Sequence, residues 1–89
     1  MLFTKSWCGY CRSSKQLLNQ LGAEYKFVDL DREENGDDIQ DALAEITGQS
    51  TVPNIFINKK HIGGNSDLQA LRGRLLPMLK EAGAVREQK

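Results

Sequence analysis

A short apolar run, Met1-Leu2-Phe3, leads into Cys8-Gly9-Tyr10-Cys11, and from Arg12 to Leu21 the pattern turns helical. A strand that passes through a tight turn straight into a helix implies a sheet with helices packed on it. The same junction sets the chemistry. Free backbone N–H groups and the positive end of the helix dipole point at the first sulfur, and both favour a thiolate over a thiol. A thiolate is the species that attacks disulfides. Cys8 is therefore the expected nucleophile of thiol–disulfide chemistry. Cys11, one helical turn inside, is expected to be less exposed. The alternative is a pair of buried cysteines acting as small hydrophobes, which the turn residues around them disfavour.

With 89 residues the chain makes one domain, 1–89, whose core is modest but sufficient. The formal net charge is zero, so no charge excess points to nucleic acid or an acidic membrane surface. No apolar run approaches the ~20 residues that cross a bilayer, and the first residues do not have the shape of a signal peptide. Two cysteines, close together, are not a secreted disulfide framework. They suit a reducing compartment, with the cytoplasm the first expectation, in which the pair cycles instead of stapling the chain. A structural zinc site would need two more ligands, and His61 is the single histidine.

The elements alternate. Met1 to Thr4 reads as a strand. Ser13 to Leu21 reads as a helix with Leu17, Leu18 and Leu21 on one face and Gly22 as its stop. Tyr25 to Leu30 is β-rich. Asp29 to Asp38 is an acidic turn without the spacing of a calcium loop. Asp37 to Thr47 is a helix in which Ile39, Ala42, Leu43 and Ile46 form one buried stripe, ended by Gly48. Asn54 to Asn58 is a third strand, and Lys59-Lys60 turn it into a short fourth at His61-Ile62. Gly63-Gly64 break that strand. Ser66 with Gln69 resembles a capping box opening a third helix, which Gly73 interrupts. Leu75, Leu76, Leu79 and Ala82 mark a final helix, with Pro77 expected in its first turn. Arg86 to Lys89 is a polar tail expected to fray. The order is βαβαββα plus a last helix. The first crossover makes strands one and two parallel, and strands three and four form a hairpin. The expected fold is α/β: a four-stranded mixed sheet with helices on both faces.

Cys-x-x-Cys after the first strand and Thr51-Val52-Pro53 before the third resemble the thioredoxin-like architecture. Within it the chain is similar to the dithiol glutaredoxins. The segments that carry the likeness are Thr4 to Cys11, Thr51 to Asn58, and His61-Ile62-Gly63-Gly64-Asn65-Ser66-Asp67. A lone Cys-x-x-Cys is a weak marker, whereas the three together in this order are specific. Two departures stand out: Gly9 where the family usually has proline, and Trp7 where tyrosine is frequent. The family also usually begins with a helix and a longer first strand. Met1 already lies in that strand here, so the N-terminal helix is expected to be absent, as in a truncated or processed chain. An organellar form is the second expectation for location.

The resemblance implies a glutathione-dependent oxidoreductase, with glutathione and glutathionylated proteins as partners. Cys8 would take the glutathionyl group from a mixed disulfide, and Cys11 would be the resolving thiol. The Lys5 ammonium would help hold the Cys8 thiolate. The Val52-Pro53 bond, for which sequence alone favours trans, would be cis, and the Val52 backbone would pair with the cysteinyl part of glutathione in the manner of an added strand. Thr51 and Pro53 belong to that segment. Gly64 would let the ligand approach, and Ser66 and Asp67 would hold the γ-glutamyl end. Lys5 and Gln40 would face the glycine carboxylate, and Tyr10 would line the groove. For Gln40 a solvent-facing helix position is the alternative. Trp7 is either a rim contact for protein substrates or a partly buried anchor. His61 reads as a surface hairpin residue and not as a general base.

Two rival functions remain open. Trp7-Cys8-Gly9 matches the opening of the thioredoxin motif, which suggests a protein disulfide reductase. The resemblance also implies a second possibility, since some glutaredoxins with Gly or Ser in place of the motif proline hold a [2Fe–2S] cluster: a cluster carrier or sensor in which Cys8 from each of two subunits and two glutathiones bind it. Gly9 removes proline's ring and restores an N–H, freeing the loop. The oligomeric expectation is a monomer, or a homodimer bridged by that cluster.

Overall fold

The computed structural model describes residues 1–84, so the tail expected at 86–89 lies outside the described residues. The elements are β1 (Leu2–Thr4), α1 (Gly9–Gln20), β2 (Phe27–Asp29), a 3-10 turn (Leu30–Arg32), α2 (Gly36–Thr47), β3 (Asn54–Ile57), β4 (Lys60–Gly63), α3 (Asn65–Ala70) and α4 (Arg72–Glu81). The sheet order is β2-β1-β3-β4. β1 pairs parallel with β2, with Leu2 beside Phe27 and Thr4 beside Asp29. β1 is antiparallel to β3, and β3 to β4. This is the mixed four-stranded sheet that the sequence predicts. None of the described helices is long and apolar enough to cross a membrane.

The core joins Leu2, Ile55 and Ile57 of the sheet to Leu17 and Leu18 of α1, Leu68 of α3, and Leu75 and Leu79 of α4. Leu21 and Ala82, expected on these stripes, pack against it from the margin. Strand alternation sends Phe3 and Phe56 to the other side of the sheet. There they share a shallow hollow with Leu43 and Ile46 of α2, so helices occupy both faces.

Several expectations need correction. α1 begins at Gly9 and not at Ser13, because Cys8 itself is the N-cap. The stripe of α2 is not buried as a whole. Leu43 is buried, Ile39 is half-buried, Ala42 is exposed and Ile46 is 77% exposed. Periodicity aligns these residues on one face, but Leu43 is the one among them that is buried. The β3–β4 turn is at Asn58 and Lys59, both left-handed (φ 51° and 64°), as a two-residue hairpin matched to strand twist requires. Lys60 is thus already in β4. Beyond it the register slips at Ile55/Phe56.

The N-cap of α3 is Gly64, two residues before the expected Ser66. Gly63, at φ +121°, turns the chain, and the Asp67 carboxylate accepts from the Gly64 N–H at 2.9 Å. Gln69 donates to Asn65 Oδ1 (3.2 Å) in place of closing a capping box. The break between α3 and α4 falls at Leu71 and not at Gly73. Pro77 lies in the interior of α4, past the first turn expected for it, so this helix runs through the position without one of its i→i−4 bonds.

Candidate active site

Cys8 lies at the C-terminal end of the β1–α1 loop. That loop is closed on itself by the Cys8 N–H donating to the Lys5 carbonyl (3.1 Å). It is held from outside by Asp31 of the 3-10 turn, whose carboxylate accepts from the Ser6 N–H (2.9 Å) and from the Ser6 hydroxyl. These bonds hold the Asp31 carboxyl below the usual range, the hydroxyl contributing most. The rest of the acidic run is exposed apart from the buried Leu30 and Gly36 and the half-buried Asp29.

The Cys11 N–H donates to Cys8 Sγ at 3.2 Å, the donor that a sulfur at a helix N-cap is expected to find. On the other side Cys8 Sγ faces the Val52 carbonyl at 3.9 Å. Cys8 is 7% exposed and Cys11 2%, the predicted ranking. Burial, and then its hydrogen bond with Cys8, push the Cys11 thiol up to about 12.

The Val52-Pro53 peptide bond is cis. Beside it opens a cleft of about 440 Å³ lined by Tyr10, Thr51, Val52, Gly64, Asn65 and Ser66, within the usual size of a small-ligand site. Five of these were named from sequence; Asn65 was not. Asn65 Oδ1 accepts from the hydroxyl of Ser14 (2.9 Å), a fully buried residue one turn beyond Cys11. This bond ties α1 to the start of α3. The marker in sequence would have been Asn65's place directly after Gly63-Gly64.

The remaining candidates lie around the cleft. Lys5 meets Cys8 through its backbone, while its ammonium lies 5.6 Å over the Trp7 ring and not on the Cys8 sulfur as expected from the resemblance. Gln40 Nε2 donates to the Ser50 carbonyl (2.7 Å), so Gln40 braces the loop that leads to Thr51. Asp67 caps Gly64. Trp7 and Tyr10 are 67% and 69% exposed, which makes Trp7 a rim residue and not an anchor. His61 packs on Phe56 at the sheet edge (centroids 5.2 Å apart), as a surface hairpin residue should. Among the described residues no three His, Cys, Asp or Glu side chains converge on a metal-sized site.

A thiol at a helix N-cap, set against the Val52 carbonyl beside a cleft, can receive a disulfide presented along the Val52 backbone. Comparison with known proteins gives the same direction. The family model described as glutaredoxin matches residues 1–62. A glutaredoxin of Vernicia fordii is 56% identical over 88 residues, covering 97% of this chain and 85% of the relative. One from Ricinus communis is 58% identical over 87 residues, covering 96% and 85%. A crystal structure of a buckwheat glutaredoxin–glutathione complex superposes with a TM-score of 0.94 at 50% identity, covering 96% of this chain and 79% of that one.

Proposed function

Since the chain belongs to the glutaredoxin family of glutathione-dependent thiol–disulfide oxidoreductases, we propose that it reduces protein–glutathione mixed disulfides with Cys8 as nucleophile. The observation that carries this is the Cys8 sulfur set against the Val52 carbonyl, next to the cleft that runs from Thr51-Val52 to Gly64 and Ser66.

In this reading the Cys8 thiolate attacks the glutathione sulfur of a mixed disulfide. A Cys8–glutathione disulfide forms, and the protein thiolate leaves and takes a proton from solvent. A second glutathione thiolate attacks the same glutathione sulfur, releasing glutathione disulfide and restoring the Cys8 thiolate. The net exchange consumes one glutathione per protein thiol freed. Cys11 enters only when the substrate is itself a disulfide that becomes a dithiol. Its thiolate attacks the Cys8 sulfur of the mixed disulfide, and the second substrate thiolate leaves and takes a proton from solvent. The Cys8–Cys11 disulfide that forms is reduced again by two glutathiones.

The Val52 backbone would pair with the cysteinyl residue of glutathione. Gly64, Ser66 and Asp67 would hold the γ-glutamyl end. Lys5 and the second N–H of the Gln40 amide would face the glycine carboxylate, and Thr51, Pro53 and Tyr10 would wall the groove. The exposed Trp7 beside Cys8 would meet the protein substrate. A monomer suffices for this chemistry. A reducing compartment, the cytoplasm, suits a pair of thiols that must return to the reduced state.

The test is a glutathione-coupled assay on a small mixed disulfide with glutathione reductase. Turnover there, and none with thioredoxin reductase, supports this reading over a thioredoxin-type reductase. The reverse result overturns it.

A second reading rests on Gly9. Apart from its chain neighbours and the backbone of its own helix, no atom lies within 4 Å of where its side chain would start, so no other part of the described chain crowds the residue after Cys8. Cys11 is buried behind Cys8, so a [2Fe–2S] cluster held by Cys8 would need Cys8 from a second copy and two glutathiones. Anaerobic reconstitution with iron, sulfide and glutathione tests this: a coloured dimer supports it and a colourless monomer refutes it.

A further inference from the structure

The segment between α2 and β3 has no regular structure, yet it must present the Val52 backbone in one orientation. Gln49 spans it. Its side-chain Nε2 donates to the Thr51 carbonyl at 3.1 Å and to the Pro53 carbonyl at 2.9 Å. A primary amide has two N–H donors, so the two carbonyls that flank Val52 occupy both. Neither bond uses a polar group of Val52 itself, whose carbonyl stays turned to Cys8 Sγ.

Gln49 is anchored at its other end as well. Its backbone N–H donates to Thr47 Oγ1 (3.1 Å), and that hydroxyl donates to the Leu43 carbonyl inside α2 (2.7 Å). The load path therefore runs from the helix to the loop through one side chain. The amide also lies where the two walls of the cleft meet. A side chain starting at Gly64 would come 3.7 Å from the Pro53 carbonyl and 4.0 Å from Gln49 Nε2.

We propose that Gln49 is a positioning residue for the glutathionyl group, a two-point clamp that holds Val52 ready to pair with it. The inference rests on the glutathione reading above. Without the clamp, the loop must be ordered by the incoming ligand, so the loss appears in binding. The Cys11 N–H that supports the Cys8 sulfur belongs to α1 and not to the clamp, so the sulfur keeps that donor.

The test compares wild type with Gln49→Leu and Gln49→Met, which retain much of the reach without the donors, and with Gln49→Arg, whose planar fork has N–H groups for both carbonyls. In the Leu and Met variants the KM for a glutathione mixed disulfide rises about tenfold. The kcat stays within about twofold, as an effect confined to binding requires, and the Cys8 alkylation rate is unchanged. Gln49→Arg recovers most of the wild-type KM. Backbone amide exchange at Val52, measured without ligand, speeds up in Leu and Met. A wild-type KM in both variants overturns the inference. So does a fall in kcat and melting temperature with no change in KM, which a merely structural role would produce. The exchange measurement separates the two layers. An inactive wild type sinks the proposed function, whereas unchanged exchange at Val52 sinks the clamp regardless of activity.

Discussion

The main-chain N–H of Cys11 points at the Cys8 sulfur across 3.2 Å, while the Cys11 thiol is buried and pushed up to about 12. One residue thus does two things. Its backbone supports the sulfur that attacks, and its side chain stays protonated and out of the way near neutral pH. Cys8→Ser is expected to reduce deglutathionylation to background. Cys11→Ser retains most of it, since the amide donor is unchanged. Steady-state rates of the two variants on one glutathione mixed disulfide check the assignment, and an active Cys8→Ser protein would falsify it.

The raised Cys11 thiol has a consequence for stability. Its folded-state value lies above the ordinary thiol range of about 8.5, so folding favours the protonated form. This contribution is fully present below that range. It is lost as pH rises from about 9 through about 12, where the unfolded chain releases the proton first. Melting temperatures measured across that window should fall more steeply for wild type than for Cys11→Ser. The difference between the two curves is the quantity to read, because lysines and tyrosines titrate in both.

Asp31 grips the loop that carries Cys8, accepting from both the N–H and the hydroxyl of Ser6. Its carboxyl is held below the usual range, so its support is present above the ordinary aspartate value and fades as pH falls through the lower, folded one. Asp31→Ala should lower kcat/KM by about tenfold through misplacement of the Cys8 sulfur, with little change in far-UV signal. Ser6→Ala should give a smaller loss, because the N–H bond to Asp31 survives. Equal activity of Asp31→Ala and wild type would show the loop holds itself.

Gly63 occupies φ +121°, a conformation that side chains rarely adopt. A Cβ there would also run into the Asp67 carboxylate that caps Gly64. Gly63→Ala should destabilise the fold by about 1–3 kcal/mol. It should also raise the KM for glutathione adducts, because Gly64 and Ser66 line the cleft. Urea unfolding and steady-state kinetics on the same preparation check both. A stable variant with unaltered KM would mean that the start of α3 does not shape the pocket.

Much of the fold follows from local pattern. The strand-to-helix junction put Cys8 at the start of α1, and glycines 22 and 48 marked the ends of two helices. The crossover and the hairpin imply the parallel β1–β2 pair and the antiparallel β3–β4 pair that the sheet has, while the pairing of β1 with β3 at its centre came with the tertiary structure. The resemblance carried by Thr51-Val52-Pro53 and by Gly63 to Asp67 named most of the cleft's lining. Local preferences acted there because capping, turn conformation and apolar periodicity are decided by residues a few positions apart.

Tertiary structure decided the rest. Ile46 belongs to the apolar stripe of α2 by spacing, yet nothing in its own helix says whether the sheet reaches far enough to cover it. Lys5 turned to Trp7, Asp31 took Ser6 across 25 positions, and Ser14 found Asn65 across 51. The last two are choices among polar partners that only packing brings within reach. A sequence determines which donors and acceptors exist and which way each element faces. Which pairs meet depends on how the elements dock, because a hydrogen bond needs its partners placed to within a fraction of an ångström.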